Sequence, residues 1–150
     1  MSRVTQAVNN FYNDYACSQA IFAEYSGLFD LDRETALRIA SGFAGGMYMG
    51  GVCGALSGAY MVLGLKFGAQ NCETPQGRKN VSAAVKAFTQ EFEKINGAVS
   101  CQHLLGCDIN TAEGLQIAKE QNLFKTTCPN FVRNASELLE IYLEKNVASE

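Results

Sequence analysis

GGVCGALSGAYMVLGLKF, residues 50–67, repeats a glycine every four positions, at Gly50, Gly54 and Gly58. Residues four positions apart lie on one face of a helix, and a face made of glycine lets a second backbone approach closely. Each glycine inside a helix costs about 1 kcal/mol relative to alanine, so several of them imply a close contact that compensates. The stretch therefore predicts a buried, Gly-rich central helix over residues 52–67.

Helical periodicity continues on both sides of this segment. The clearest amphipathic stripe has apolar residues three or four positions apart, at Val81, Ala84, Val85, Phe88, Phe92 and Ile95. Residues typical of helix ends mark further helices: an N-cap at Asp32 with a stop at Gly42, a stop at Asn96 and Gly97, a capping box of Asn110 with Glu113, and a first turn at Pro129. No segment shows the sustained alternation of a strand. We predict an all-α, single-domain helical bundle over residues 1–150, with a loop over residues 42–51.

The composition is that of a folded domain without a basic surface. Of the 150 residues, 47% are hydrophobic and 18% are charged, so the chain can bury a core. The formal net charge is −3, and the basic residues are scattered along the chain. Because nucleic-acid binding and attachment to a membrane surface both need clustered positive charge, we expect neither.

Residues 39–65 carry no charge and are long enough to span a bilayer. The first half of this segment is rich in glycine and only its second half is densely apolar, which favours a buried core helix over membrane insertion. The first twenty residues lack the apolar run and cleavage site of a secretory signal. We therefore expect a cytoplasmic protein, whose cysteines are kept reduced.

Six cysteines beside a single histidine make cysteine the candidate for chemistry. In a reducing compartment, cysteines serve redox or metal chemistry more often than structural disulfides. Cys53 stands at the predicted start of the central helix, where the helix dipole and free N–H groups stabilise a thiolate and lower the thiol pKa. The alternative is that Cys53 is a small buried apolar residue, as free cysteines often are.

Cys101 and Cys107 form a C-x5-C pair, with His103 between them. Along a continuous helix their Cα atoms would lie about 9 Å apart, which is beyond disulfide reach. Gly106 would let the chain turn and bring the two thiols together, to form a disulfide or to share a metal ion. His103 is a candidate to hold a proton for a thiolate or to bind a metal, although a lone histidine is more often a solvated side chain.

The other three cysteines differ in their surroundings. Cys17 lies on a predicted helix and could face the same centre as Cys53. Cys72 lies in a polar loop, and Cys128 precedes Pro129 as a residue at a helix start. We expect no chemistry from Cys72 or Cys128.

These motifs resemble those of a family of small bacterial proteins with a redox role, which is called C_GCAxxG_C_C after its cysteine pattern. The resemblance rests on Cys17, on CGALSG at residues 53–58 and on the Cys101/Cys107 pair, and it covers residues 8–107. It implies that the family cysteines are Cys17, Cys53, Cys101 and Cys107, that Gly54, Ala55 and Gly58 complete the motif, and that Cys72 and Cys128 lie outside it.

Two functions follow for the four family cysteines. In the first, the chain is an oxidoreductase for thiol–disulfide exchange or electron transfer, in which Cys53 attacks an oxidant and Cys101, Cys107 or Cys17 resolves the intermediate. In the second, the same four thiolates bind an iron–sulfur cluster or a zinc ion. A third interpretation treats the cysteines as core residues of a helical interaction protein. We expect a redox partner protein, and self-association as a homodimer, the commonest symmetric assembly.

Overall fold

The computed structural model describes residues 1–145. Its helices are, in chain order, α1 (Arg3–Tyr12), α2 (Cys17–Tyr25), α3 (Arg33–Ser41), α4 (Gly54–Phe67), α5 (Lys79–Asn96), α6 (Cys101–Leu105), α7 (Ala112–Glu120), α8 (Leu123–Thr126) and α9 (Cys128–Glu144). Residues 1–145 contain no strand beyond an isolated antiparallel bridge between Val52 and Ser100. The predicted all-α fold is confirmed. No helix in this part of the chain is long and apolar enough to cross a membrane.

Helix α4 occupies the segment in which the glycine spacing predicts a helix. Nine of its 14 residues are buried, and it packs against α2, α5 and α9. Its closest approach is to α2, because a Cβ added at Gly58 would lie 2.9 Å from the carbonyl oxygen of Ser18. Gly50 does not share this face: it precedes the helix in a left-handed conformation, with φ +71°. The two glycines inside α4, Gly54 and Gly58, are therefore the ones that let α2 approach.

Local capping chemistry explains most of the helix ends. The Asp32 carboxylate accepts a hydrogen bond from the Thr35 backbone N–H at 2.9 Å, and Gly97 ends α5 with φ +91°, both as predicted. The prediction at Asn110 is wrong, because Thr111 is the N-cap of α7. Asn110 instead donates its side-chain amide to the carbonyl oxygen of Gly45 at 2.9 Å, which ties the start of α7 to a distant turn.

That turn forms the middle of the predicted loop over residues 42–51. Gly45, Gly46, Met47 and Tyr48 all have left-handed φ angles, between +59° and +68°. A left-handed conformation costs roughly 1–2 kcal/mol for a residue that carries a Cβ, so Met47 and Tyr48 need outside support. The Gly51 backbone N–H donates to the carbonyl oxygen of Gly46 at 2.9 Å, and the Tyr48 hydroxyl donates to a carbonyl of α3 at 2.9 Å. These bonds make the segment a compact turn that delivers the chain to the start of α4.

Candidate functional site

Four cysteines line one cavity of about 470 Å³, and each of them stands at the start of a helix. Cys17 is the first residue of α2, Cys53 is the N-cap of α4, Cys101 is the first residue of α6 and Cys128 is the first residue of α9. All six cysteines of the chain are free thiols in this structure. The cavity is therefore a place where thiols from four separate parts of the sequence meet.

A short antiparallel crossing of two backbone segments brings Cys53 and Cys101 to the cavity. The Cys53 N–H donates to the carbonyl oxygen of Val99 at 2.9 Å, and the Cys101 N–H donates to the carbonyl oxygen of Gly51 at 2.6 Å. These two bonds flank the bridge between Val52 and Ser100. These backbone hydrogen bonds hold the two segments together and place both cysteines at the cavity.

Because Gly54 has no Cβ, Cys17 can lie close to the start of α4. A Cβ added at Gly54 would lie 3.0 Å from the Cβ of Cys17 and 3.1 Å from the backbone nitrogen of Ser18. The Ser18 hydroxyl donates to the carbonyl oxygen of Ala40 at 2.8 Å, which holds the start of α2 against α3. The glycine of the CGALSG motif thus makes room for Cys17 beside Cys53. Ala55, the next residue of the motif, is fully buried.

Cys17 and Cys128 interact directly. A hydrogen bond from the Cys17 thiol to the Cys128 sulfur, followed by burial, raises the pKa of Cys17 well above its ordinary value. The same hydrogen bond lowers the pKa of Cys128 and outweighs the opposing effect of burial. A thiol that donates to a neighbouring sulfur stabilises the thiolate of that neighbour. Cys128 is therefore favoured as the thiolate of the pair and Cys17 as the thiol.

The pKa values of Cys53 and Cys101 are raised, in contrast to that of Cys128. Burial raises the pKa of Cys53 to about 12, although the N–H groups of Ala55 and Leu56 lower it. Burial, with the charges of Cys128, Asp108 and Cys107 added, raises the pKa of Cys101 to about 11. The expectation that the helix start gives Cys53 a lowered pKa is wrong, because loss of solvation is larger than the effect of the helix N–H groups.

The structure places Cys128 among the cysteines of the cavity. This residue does begin a helix, as expected, but it also lines the cavity, where its side chain is 5% exposed. A signal was present in the sequence: Cys128 precedes Pro129 at a predicted helix start, as Cys53 precedes the central helix. The contact between Cys128 and Cys17 could not be predicted from the sequence.

The remaining predicted site residues lie at or beyond the edge of this cluster. Cys107 is buried and close enough to Cys101 to raise its pKa, and Gly106 turns the chain between them with φ +73°, but Cys107 is not among the described residues that line the cavity. His103 is exposed, and its Nδ1 lies 2.8 Å from the Ser100 hydroxyl, so the structure does not bring it to the cavity thiols. Cys72 is exposed, away from the cavity.

The residues between 1 and 145 include no group of three His, Cys, Asp or Glu side chains arranged so that they could hold a metal ion. Thiolate ligands of zinc lie about 2.3 Å from the metal, so their sulfurs must converge on one point. The four cavity cysteines share a wall without converging in this way. The predicted iron–sulfur or zinc site is not confirmed in the described part of the chain.

A sequence model of the family described as "Putative redox-active protein (C_GCAxxG_C_C)" matches residues 15–142. The chain belongs to this family. Searches of curated proteins and of solved structures found no significant match. The matched residues include all six cysteines and extend beyond the resemblance noted in the sequence, which ended at Cys107. The matched range thus includes Cys72 and Cys128 as well as the four cysteines of the resemblance.

Proposed function

We propose that this C_GCAxxG_C_C protein is a thiol–disulfide oxidoreductase in which Cys17 and Cys128 form the reactive pair. The observation that carries the proposal is that Cys17 and Cys128 line the same cavity, where the two thiols are close enough for each to shift the pKa of the other. Exchange needs an attacking thiolate and a second sulfur within reach to resolve the intermediate. The pair supplies both, in place of the Cys53-centred mechanism expected from the sequence.

The reaction proceeds in two displacements. The Cys128 thiolate attacks one sulfur of a substrate disulfide, the substrate S–S bond breaks, and the first substrate thiolate leaves. Cys17 then loses its proton to a departing substrate thiolate and attacks the Cys128 sulfur. The Cys17–Cys128 bond forms, the second substrate thiol leaves, and the substrate has gained two electrons. The cost of deprotonating Cys17 is lowest at the second step, when Cys128 no longer carries a charge.

Cys53 and Cys101 are slower thiols in this proposal. With pKa values of about 12 and about 11, both are almost entirely protonated at neutral pH. A negative charge on either sulfur would raise the pKa of Cys17 further, so their protonated state favours ionisation of Cys17. Regeneration of the dithiol needs an electron donor, for which we retain a redox partner protein in a reducing cytoplasm.

Equilibration with dithiothreitol redox buffers tests the proposal. We expect the Cys72→Ser variant to lose two thiols reversibly, in a single two-electron transition, as the buffer becomes more oxidising. Dithiothreitol is small and uncharged, so it can enter the cavity. Adding Cys128→Ser should remove this transition. Retention of all thiols in the Cys72→Ser protein in these buffers and after treatment with diamide, a stronger oxidant, would refute the proposed function.

The pH dependence of alkylation should distinguish Cys128 from Cys53. The pKa of Cys128 is below its ordinary value of 9.0. The rate of its alkylation by iodoacetamide should therefore rise with pH and reach a plateau above that lowered pKa. Cys53, with a pKa of about 12, should keep reacting about tenfold faster with each pH unit up to that pH. Quantification of the modified peptides by mass spectrometry at each pH measures both profiles.

Two substitutions of one residue provide the control for this profile. Cys17→Ser keeps a hydrogen-bond donor beside Cys128, so Cys128 should still level off below pH 9, whereas Cys17→Ala removes the donor and should move the profile to higher pH. Equal profiles in the two variants would show that Cys17 does not set the acidity of Cys128.

A further inference from the structure

We propose that the oxidant of the Cys17/Cys128 pair is a small apolar quinone that enters the cavity. This inference rests on the reactive Cys17/Cys128 pair of the proposed function and names an oxidant for it that is not a disulfide. The cavity volume of about 470 Å³ lies within the range of ordinary small-molecule sites, roughly 300–1,000 Å³. A single substituted quinone ring fits in such a volume.

The lining of the cavity favours a flat, uncharged ring. Five aromatic side chains contribute to it: Phe11, Tyr12, Tyr15, Phe124 and Phe131. Aromatic rings pack favourably against another ring in offset or edge-on arrangements, and an apolar ligand gains from leaving water. The charged residues among the described lining are Asp14 and Lys125, which are both exposed. Such a wall provides little compensation for burying the several charges of a peptide disulfide such as oxidised glutathione.

The burial of the thiols also argues for a small substrate. Cys53, Cys101 and Cys128 are 4%, 8% and 5% exposed, and Cys17 is only partly exposed. A small ring can enter the cavity and reach these buried sulfurs.

The reaction balances with two electrons and two protons. Cys17 and Cys128 join in a disulfide, and the two electrons lost by the sulfurs pass to the quinone ring. The proton of the Cys17 thiol goes to one ring oxygen. Because Cys128 reacts as a thiolate, the second proton comes from solvent. The products are the Cys17–Cys128 disulfide and a hydroquinone.

Ile109 offers a way to fill the cavity without touching the thiols. It is partly buried and lines the cavity, and it adjoins Asn110, whose side chain is bonded to the Gly45 turn. Ile109→Trp should occupy part of the space and slow the quinone reaction at least about tenfold, the equivalent of about 1.4 kcal/mol. Ile109→Val changes the volume little and is the matched control.

The experiment mixes the reduced Cys72→Ser full-length protein with tetramethyl-1,4-benzoquinone under anaerobic conditions. Every ring carbon that could form a stable thiol adduct is substituted in this quinone. We expect one hydroquinone per chain, seen by absorbance, together with a mapped Cys17–Cys128 disulfide. The rate should exceed that with oxidised glutathione at least about tenfold, again about 1.4 kcal/mol, and it should fall in Ile109→Trp but not in Ile109→Val.

Diamide, a small polar oxidant, separates failure of this inference from failure of the proposed function. If diamide forms the Cys17–Cys128 disulfide and the quinone does not, the quinone inference is overturned and the thiol–disulfide function stands. Oxidation by glutathione disulfide or by cumene hydroperoxide as fast as by the quinone would also overturn it, as would an unchanged rate in Ile109→Trp. If diamide produces no Cys17–Cys128 disulfide, the proposed function itself fails.

Discussion

Cys128→Ser should slow the oxidation of the cavity thiols by diamide at least about tenfold at pH 7. Of the three thiols left in the cavity, Cys53 and Cys101 have pKa values of about 12 and about 11, and burial raises that of Cys17 as well, whereas the pKa of Cys128 is lowered. The higher pKa values leave a smaller thiolate fraction at pH 7, and the greater nucleophilicity of a more basic thiolate offsets only part of that loss. Stopped-flow mixing with diamide, followed by thiol counting, measures the rate.

The complementary variant, Cys17→Ser, should react at the first step and fail at the second. Its Cys128 keeps a hydrogen-bond donor but loses the sulfur that resolves the diamide adduct, so the adduct should accumulate and be visible by mass spectrometry. Both variants are made in the Cys72→Ser background, which removes the exposed thiol. Fast oxidation of the Cys128→Ser protein would mean that another cavity thiol is the nucleophile.

Gly58→Ala should destabilise the fold by about 2–3 kcal/mol, because the new methyl group would collide with backbone. The Cβ would lie 2.9 Å from the Ser18 carbonyl oxygen and 3.2 Å from the Ser18 Cα, and neither atom can turn away as a flexible side chain would. For a chain of 150 residues this corresponds to a fall of roughly 4–12 °C in Tm, measured by thermal or chemical unfolding.

Gly64→Ala is the matched control, on the same helix. A Cβ at Gly64 would meet nothing within 4 Å, so the substitution should stabilise α4 by up to about 1 kcal/mol. Because α2 begins with Cys17, the displacement caused by Gly58→Ala should also slow oxidation of the Cys17/Cys128 pair. Equal stabilities of the two variants would show that α2 and α4 are not in close contact at Gly58.

The parts of the fold that depend on local chemistry could be predicted from the sequence. The cap at Asp32 and the left-handed stop at Gly97 involve only neighbours along the chain, and both form as predicted. The prediction that Asn110 caps α7 was wrong because its side chain donates to Gly45, in a turn far away in the sequence. Thr111 is the cap instead. Met47 adopts a left-handed conformation that no residue preference predicts, since surrounding hydrogen bonds support it.

The candidate site shows the same division. The effect of helix N–H groups on Cys53 could be predicted, but not the larger effect of burial, which comes from the packing of other elements around it. Cys128 could not be assigned to the site because its partner, Cys17, lies at the other end of the chain. The C_GCAxxG_C_C motif located Cys53 and its glycines, and only the fold could show which thiols meet.

Disulfide mapping of the oxidised wild-type protein tests the central claim most directly. The reduced chain is treated with one equivalent of diamide, remaining thiols are blocked, and the non-reduced peptides are identified by mass spectrometry. We predict one dominant disulfide, Cys17–Cys128, with Cys53, Cys72, Cys101 and Cys107 recovered as blocked thiols. A dominant Cys101–Cys107 or Cys53–Cys101 disulfide, with Cys128 recovered as a blocked thiol, would contradict it.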